Sequence, residues 1–337
     1  MRWHYLRLMR ILAPLLVLCL ATPSWAESPR FGLPLQCRLG ESCWVMNYPD
    51  TDPGPGARDF TCRVRTYDKH DGTDFALRDI DAMRKGVPVR AAAAGKVIAT
   101  RDGEQDGQWI AGHQQEIIRR VRECGNRVSI LHGDGWVTDY CHMRQGSVAV
   151  KMGDHVEAGQ MIGLVGLSGM TDFPHAHMGV LHFDPGAEKG EPVDPFTSAP
   201  LASGCGRQPH PMWGFPQPYD SGEIYAAGVA DHVPGNEIKQ SAASARRLSP
   251  ASGALVVWAG MFGAAKGDRV YARLTGPDGK LLVDQAVTVD GDQAWRVTGI
   301  GKKRPVAGWM PGTYRGSIRL ERQGRPPQER AVSVEVR

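Results

Sequence analysis

The sequence predicts a mainly β protein, an antiparallel β-sheet domain followed by a C-terminal β-sandwich, and three observations carry that prediction. The 41 glycines and 24 prolines among 337 residues cut the chain into short segments, which favours strands joined by turns over long helices. NRVSILHGDGWVTDYCH places two strand-like runs around a Gly133-Asp134 turn, the signature of a hairpin. From about residue 250 the runs ALVVWAGMF, RVYARLTGPDGKLLVDQAVTV with its GPDGK turn, QAWRVTGI, GTYRGSIRLER and RAVSVEVR follow one another with turns between them. Regular short strands over such a stretch argue for a sandwich.

Residues 1–26 read as a signal peptide. Arg2, Arg7 and Arg10 form its basic region, ILAPLLVLCLA its apolar region, and Ser24 and Ala26 the small residues of a cleavage site. The apolar run is too short to span a bilayer, and Leu18 stands before Cys19 where a lipoprotein wants a small residue. Export to the periplasm or medium is expected, with no stable membrane insertion afterwards. Loss of the leader lowers the formal charge from +4 to +1. With no basic run left, no nucleic-acid partner is expected.

Six cysteines follow the leader: Cys37, Cys43, Cys62, Cys124, Cys141 and Cys205. An even number in an exported chain reads as disulfides. The hairpin brings Cys141 back beside Cys124 and so predicts one pair; the rest stay open. No C-x-x-C pair supports a thiolate zinc site.

Residues 27–64 form a cysteine-rich leading segment without clear periodicity. Residues 65–205 form the strand-rich domain, with VPVRAAAAGKVIATRDG as strand–turn–strand and GSVAVKMGDHVEAGQMIGLVG alternating around Gly153-Asp154. Within it, 103–123 reads as an inserted loop that could shield the site, with Ile110, Ile117, Ile118 and Val121 forming a weak helical face. Pro209, Pro211, Pro216, Pro218 and Pro234 mark 206–245 as a linker. Residues 246–337 form the sandwich, which has neither histidine nor cysteine and is a poor place for chemistry.

Three motifs share the strand-rich domain: His70-Asp71-Gly72-Thr73-Asp74, Tyr140-Cys141-His142 and His175-Ala176-His177. On a strand, His175 and His177 point to one face and His182 to the other. Two imidazoles and a carboxylate make a normal zinc set with a position left open for water. Spacing alone leaves open which histidine ligates and which handles protons. Asp68, Asp71, His113, His132, His155, His182, His210 and His232 read as solvated or structural groups.

In these motifs the domain resembles the lysostaphin-type (LytM-like) zinc endopeptidases, which cut peptide bonds in bacterial peptidoglycan. HDGTDFA, TDYCHM and FPHAHMGV match that family's motifs in order, and GNRVSILHGDGW, VKMGDHVEAGQMIGLVGLSG and PVDPF match its intervening text. The resemblance covers about residues 65–197. It implies that His70, Asp74 and His177 bind Zn2+ and that His142 and His175 assist catalysis. Where the family usually has Leu between the histidines and an aromatic–acid pair after them, this chain has Ala176 and Met178-Gly179. GLVGLSG reads as a turn between strands, not a nucleotide loop. The sandwich resembles an immunoglobulin-like accessory domain.

The function implied is an exported, metal-dependent peptide bond hydrolase acting on peptidoglycan stem peptides. The alternative is a non-hydrolytic wall-binding or activator protein that regulates another wall hydrolase, meeting a protein partner through its C-terminal domain. A third reading keeps the enzyme and changes the substrate to elastin-like or glycine-rich peptides.

Overall fold

A computed structural model describes residues 28–337 except 217, 218, 220, 221 and 243. The signal peptide read at 1–26 lies outside the described residues. The first unit contains β1 (Cys43–Asn47), β2 (Gly72–Leu77), α1 (Ile80–Arg84), β3 (Pro88–Arg90), β4 (Gly95–Arg101), α2 (Gln114–Arg119) and β5 (Asn126–Leu131). It continues with β6 (Trp136–Met143), β7 (His155–Val156), β8 (Met161–Leu164), β9 (His175–His182), β10 (Glu191–Asp194) and β11 (Ala199–Pro200). An antiparallel sheet runs in the order β1-β2-β9-β6-β5-β4-β7, while β3 and β8 pair separately. The protein is mainly β, as the turn-rich composition predicts.

One face of that sheet buries Cys43, Val45, Phe75, Leu77, Val128, Ile130, Tyr140, Ala176, Met178 and Val180 in the main core. Ala176 lies directly opposite Phe75, so the small residue between the two histidines makes room for a ring. In the insertion only the short α2 forms. Ile117 is 3% exposed, whereas Ile110, Ile118 and Val121 are 49%, 52% and 71% exposed. The apolar face expected there is therefore a single anchor, held by Glu104 against Arg120 and Arg122 at 3.2 Å each.

The second unit contains β12 (Glu223–Ala230), α3 (Glu237–Gln240), β13 (Arg247–Leu248), β14 (Ala254–Ala264), β15 (Arg269–Thr275), β16 (Leu281–Thr288), β17 (Gln293–Lys303), β18 (Gly312–Glu321) and β19 (Gln328–Val336). Its sheets are β12-β14-β17 and β13-β19-β18-β15-β16. Within the segment read as linker, β12 pairs along β14; the prolines flank that strand rather than interrupt it. The apolar run of β14 does not alternate because both its faces are covered. Leu255, Val257, Ala259 and Met261 face the sandwich core. Trp258 and Phe262 join Trp44, Met46, Ala76, Phe173, Tyr225 and Ile238 in a third cluster between the two units. The Trp44 indole donates to Glu223 Oε2 at 2.7 Å.

Three disulfides are present: Cys37–Cys43, Cys62–Cys205 and the expected Cys124–Cys141. Among the described residues no helix is long and apolar enough to cross a membrane. The Cys62–Cys205 bridge spans 143 positions, so Cys62→Ser with Cys205→Ser should lower unfolding free energy by about 4 kcal/mol. Urea denaturation of the double variant measures it; an unchanged midpoint would mean the chain is held equally well without the link.

Candidate metal centre

Strand register brings the motifs together. Asp74 lies directly opposite His177 across β2 and β9, and Cys141 lies opposite His177 across β9 and β6. His175 projects from the same face two residues earlier. His142, one residue beyond Cys141, would point away in a regular strand. A bulge between β5 and β6 and a φ of 59° at His142 swing it back onto that face, a local strain of the kind found at functional sites.

The hydrogen-bond partners fix which nitrogen carries each proton. His70 Nδ1 is 2.7 Å from the Tyr48 carbonyl; a carbonyl only accepts, so Nδ1 donates and Nε2 presents its lone pair. His177 Nε2 is 3.2 Å from Asp71 Oδ1, so Nε2 donates and Nδ1 faces inward. Asp74 Oδ1 then stands 3.1 Å from His70 Nε2 and 3.0 Å from His177 Nδ1, and the two nitrogens are 3.2 Å apart. Its other oxygen accepts from Asn47 Nδ2 at 2.8 Å. Three lone pairs thus converge in a buried place, an arrangement that repels unless a cation sits among them. The donors are two imidazoles and one carboxylate with their outer atoms hydrogen-bonded, which fits zinc. His70, Asp74 and His177 form a group able to hold a metal.

The charge balance agrees. Burial pushes the Asp74 carboxyl up, but the His70 and His175 imidazoles outweigh it and hold it well below the usual carboxylate range. Burial pulls His177 down, yet its bonds to Asp71 and Asp74 push it up to about 10. The pocket favours positive charge at its centre, supplied by a proton on His177 Nδ1 or by a metal ion in that proton's place.

Two more imidazoles stand beside this group. His175 Nε2 is 3.3 Å from Asp74 Oδ1, and its Nδ1 is 2.8 Å from the Phe173 carbonyl. His142 Nδ1 is 2.8 Å from the Ser168 carbonyl, and its ring lies 4.6 Å from that of His175. Burial, followed by the neighbouring His175 and His177, drives the His142 pKa well below its usual value. All five residues meet in one place. His182 ends β9 instead against Trp136, with ring centres 4.5 Å apart. A groove of about 430 Å³ opens over the group, lined also by Glu123, Arg127, Met170 and Gly179.

Several residues that shape the centre were not among those singled out from sequence. Asn47 and Tyr48 come from the leading segment, and Ser168 and Phe173 act through carbonyls that no residue type announces. Asp71 and Gly72 do carry a signal, since both lie inside H-x-x-x-D. A Cβ on Gly72 would come 2.5 Å from His177 Nε2, so this position stays bare for the ring to lie against it.

Asp71→Ala should therefore weaken zinc binding by about 10- to 100-fold, with a smaller loss for Asp71→Asn, whose amide oxygen still accepts the Nε2 proton. Gly72→Ala should displace the His177 ring and lower affinity over the same rough range. Chelator competition reads both, and unchanged affinity in either would refute the corresponding contact.

The family model for peptidase family M23 matches residues 68–195. The cell division protein DipM of Caulobacter vibrioides is 32% identical over 128 residues, covering 38% of this chain and 19% of the relative. The peptidoglycan DD-endopeptidase ShyA of Vibrio cholerae is 32% identical over 135 residues, covering 40% and 24%. Lysostaphin of Staphylococcus staphylolyticus is 27% identical over 188 residues, covering 55% and 34%. The matched region is thus between about a fifth and a third of these relatives' own length. Among solved structures, the catalytic domain of lysostaphin from Staphylococcus simulans matches at 26% identity, over 38% of this chain and 76% of that one, with a TM-score of 0.26. Residues 68–195 of this chain are a peptidase family M23 domain.

Proposed function

We propose that this chain is an exported zinc endopeptidase that hydrolyses peptide cross-links of peptidoglycan. The observation that carries the reading is the convergence of three lone-pair donors, His70 Nε2, Asp74 Oδ1 and His177 Nδ1, beside His142 and His175 and beneath a groove that His70, His142 and His177 line. Zinc bound there supplies Lewis acidity, polarising a carbonyl and bringing the pKa of water down to about 7.

The rest of the chemistry belongs to the chain. His142 is neutral at ordinary pH because burial disfavours its cation. With Nδ1–H committed to Ser168, its Nε2 accepts a proton from the attacking water and returns it to the leaving amine. His175, with Nδ1 committed to Phe173, directs Nε2 at the same centre, on the side where the oxyanion develops. Asp71 and Tyr48 keep the ligand rings in their tautomers, and Asn47 keeps Asp74 turned inward.

Peptidoglycan is favoured as substrate because a relative at 32% identity is named for that activity. The retention of all five polar side chains in hydrogen-bonded positions supports hydrolysis over a wall-binding module. Three disulfides support an oxidising compartment, hence export.

Purified protein should carry about one zinc per chain and release cross-linked muropeptides from sacculi. His142→Ala should keep its zinc and lose roughly 10²- to 10⁴-fold in kcat, whereas Asp74→Ala should lose both. Full zinc with no cleavage of sacculi would favour the binding module, and cleavage of glycine-rich peptides alone would move the substrate.

A further inference from the structure

One short loop holds both histidines that stand beside the metal group. Ser168 at its start takes the His142 Nδ1 proton, and Phe173 near its end takes that of His175. Thr171 stiffens the turn between them: its hydroxyl donates to the Phe173 carbonyl at 2.8 Å and lies 3.2 Å from His175 Nδ1. The loop's first half is pinned within its own domain. Met170 N donates to the Glu123 carbonyl at 2.7 Å, and a Cβ on Gly169 would fall 2.3 Å from that same oxygen.

The second half is pinned by the sandwich. The Phe173 ring is 2% exposed and lies 5.4 Å from Phe262 and 6.3 Å from Tyr225, ring centre to ring centre. Next to it, Asp172 Oδ2 meets Lys239 Nζ at 2.6 Å, and that ammonium stands 4.7 Å over the Trp295 ring. Lys239 and both aromatic partners of Phe173 belong to the second unit. Ala76, directly opposite His175 on β2, joins the same contact.

We propose that the C-terminal sandwich is a working part of the active site, with Phe173 as a positioning residue that the sandwich seats so that its carbonyl orients His175. The inference rests on the reading of His175 as a group that handles the reaction's charge. Removing the seat leaves ligands and groove intact but frees the carbonyl. A misplacement of about 1 Å at such a group costs on the order of 10²-fold in rate. The effect falls on kcat, while KM and zinc content stay as they are.

The test uses the full chain and a soluble cross-linked muropeptide. Phe173→Ala should lose about 10- to 100-fold in kcat with KM and zinc unchanged, and Phe173→Met should recover most of it by refilling the seat. Asp172→Lys and Lys239→Asp should each lower kcat several-fold, and the two together should recover the part owed to the ion pair but not the part owed to the cation over Trp295. These charge exchanges keep the question answerable if Phe173→Ala fails to fold. Imidazole nitrogen NMR should show His175 as a single Nδ1–H tautomer in wild type and as a mixture in Phe173→Ala. Wild-type kcat and a single tautomer in folded, zinc-loaded Phe173→Ala would overturn the brace, as would charge exchanges without effect. A wild-type protein that hydrolyses nothing would overturn the catalytic reading instead, and the NMR comparison would still decide the brace.

Discussion

Asp74 Oδ1 lies within 3.3 Å of three imidazole nitrogens, on a carboxylate that is 2% exposed. An ionised carboxylate in such a place is costly unless every neighbour is arranged to meet it. Much of the surrounding chain follows from that demand. Asn47 satisfies the second oxygen, Tyr48 and Asp71 turn two rings lone pair inward, and Gly72 withholds a side chain so that one of those rings can approach. The leading segment is therefore built into the centre, since β1 supplies both the amide and the strand that backs Asp74.

The parts of this arrangement legible in sequence were those in which the residue type itself does the chemistry. His70, Asp74, His142, His175 and His177 could be picked out because imidazole and carboxylate are the donors zinc prefers and because strand parity separated His182. Cys124–Cys141 was legible because a hairpin of known turn fixes where its ends meet. The groups that orient these residues were not. A carbonyl such as that of Ser168 or Phe173 belongs to every residue alike, and its role depends on where the loop lies. Cys62–Cys205 joins segments 143 positions apart, beyond the reach of local pattern.

With neither histidine nor cysteine, the sandwich reads in sequence as a poor place for chemistry. That compositional argument addresses ligands and says nothing of support. Its sequence did carry a sign of the contact. Trp258 and Phe262 interrupt the polar positions that a half-exposed strand would show, and a strand apolar at every position must be covered on both faces. What covers the second face is visible only in the fold, where Trp44 and Phe173 meet it.

That shared strand also bears on when the chain becomes competent. Synthesis runs from the N-terminus, so the five histidine and aspartate side chains of the centre, all within residues 70–177, are made before Tyr225, Lys239, Phe262 and Trp295 exist. Until the last third of the chain arrives, the ring of Phe173 lacks its Tyr225 and Phe262 partners. A chain made only that far would hold all five side chains of the centre without the second-unit contacts around Phe173. If the sandwich braces His175 as proposed, seating that ring is the last step in building the centre.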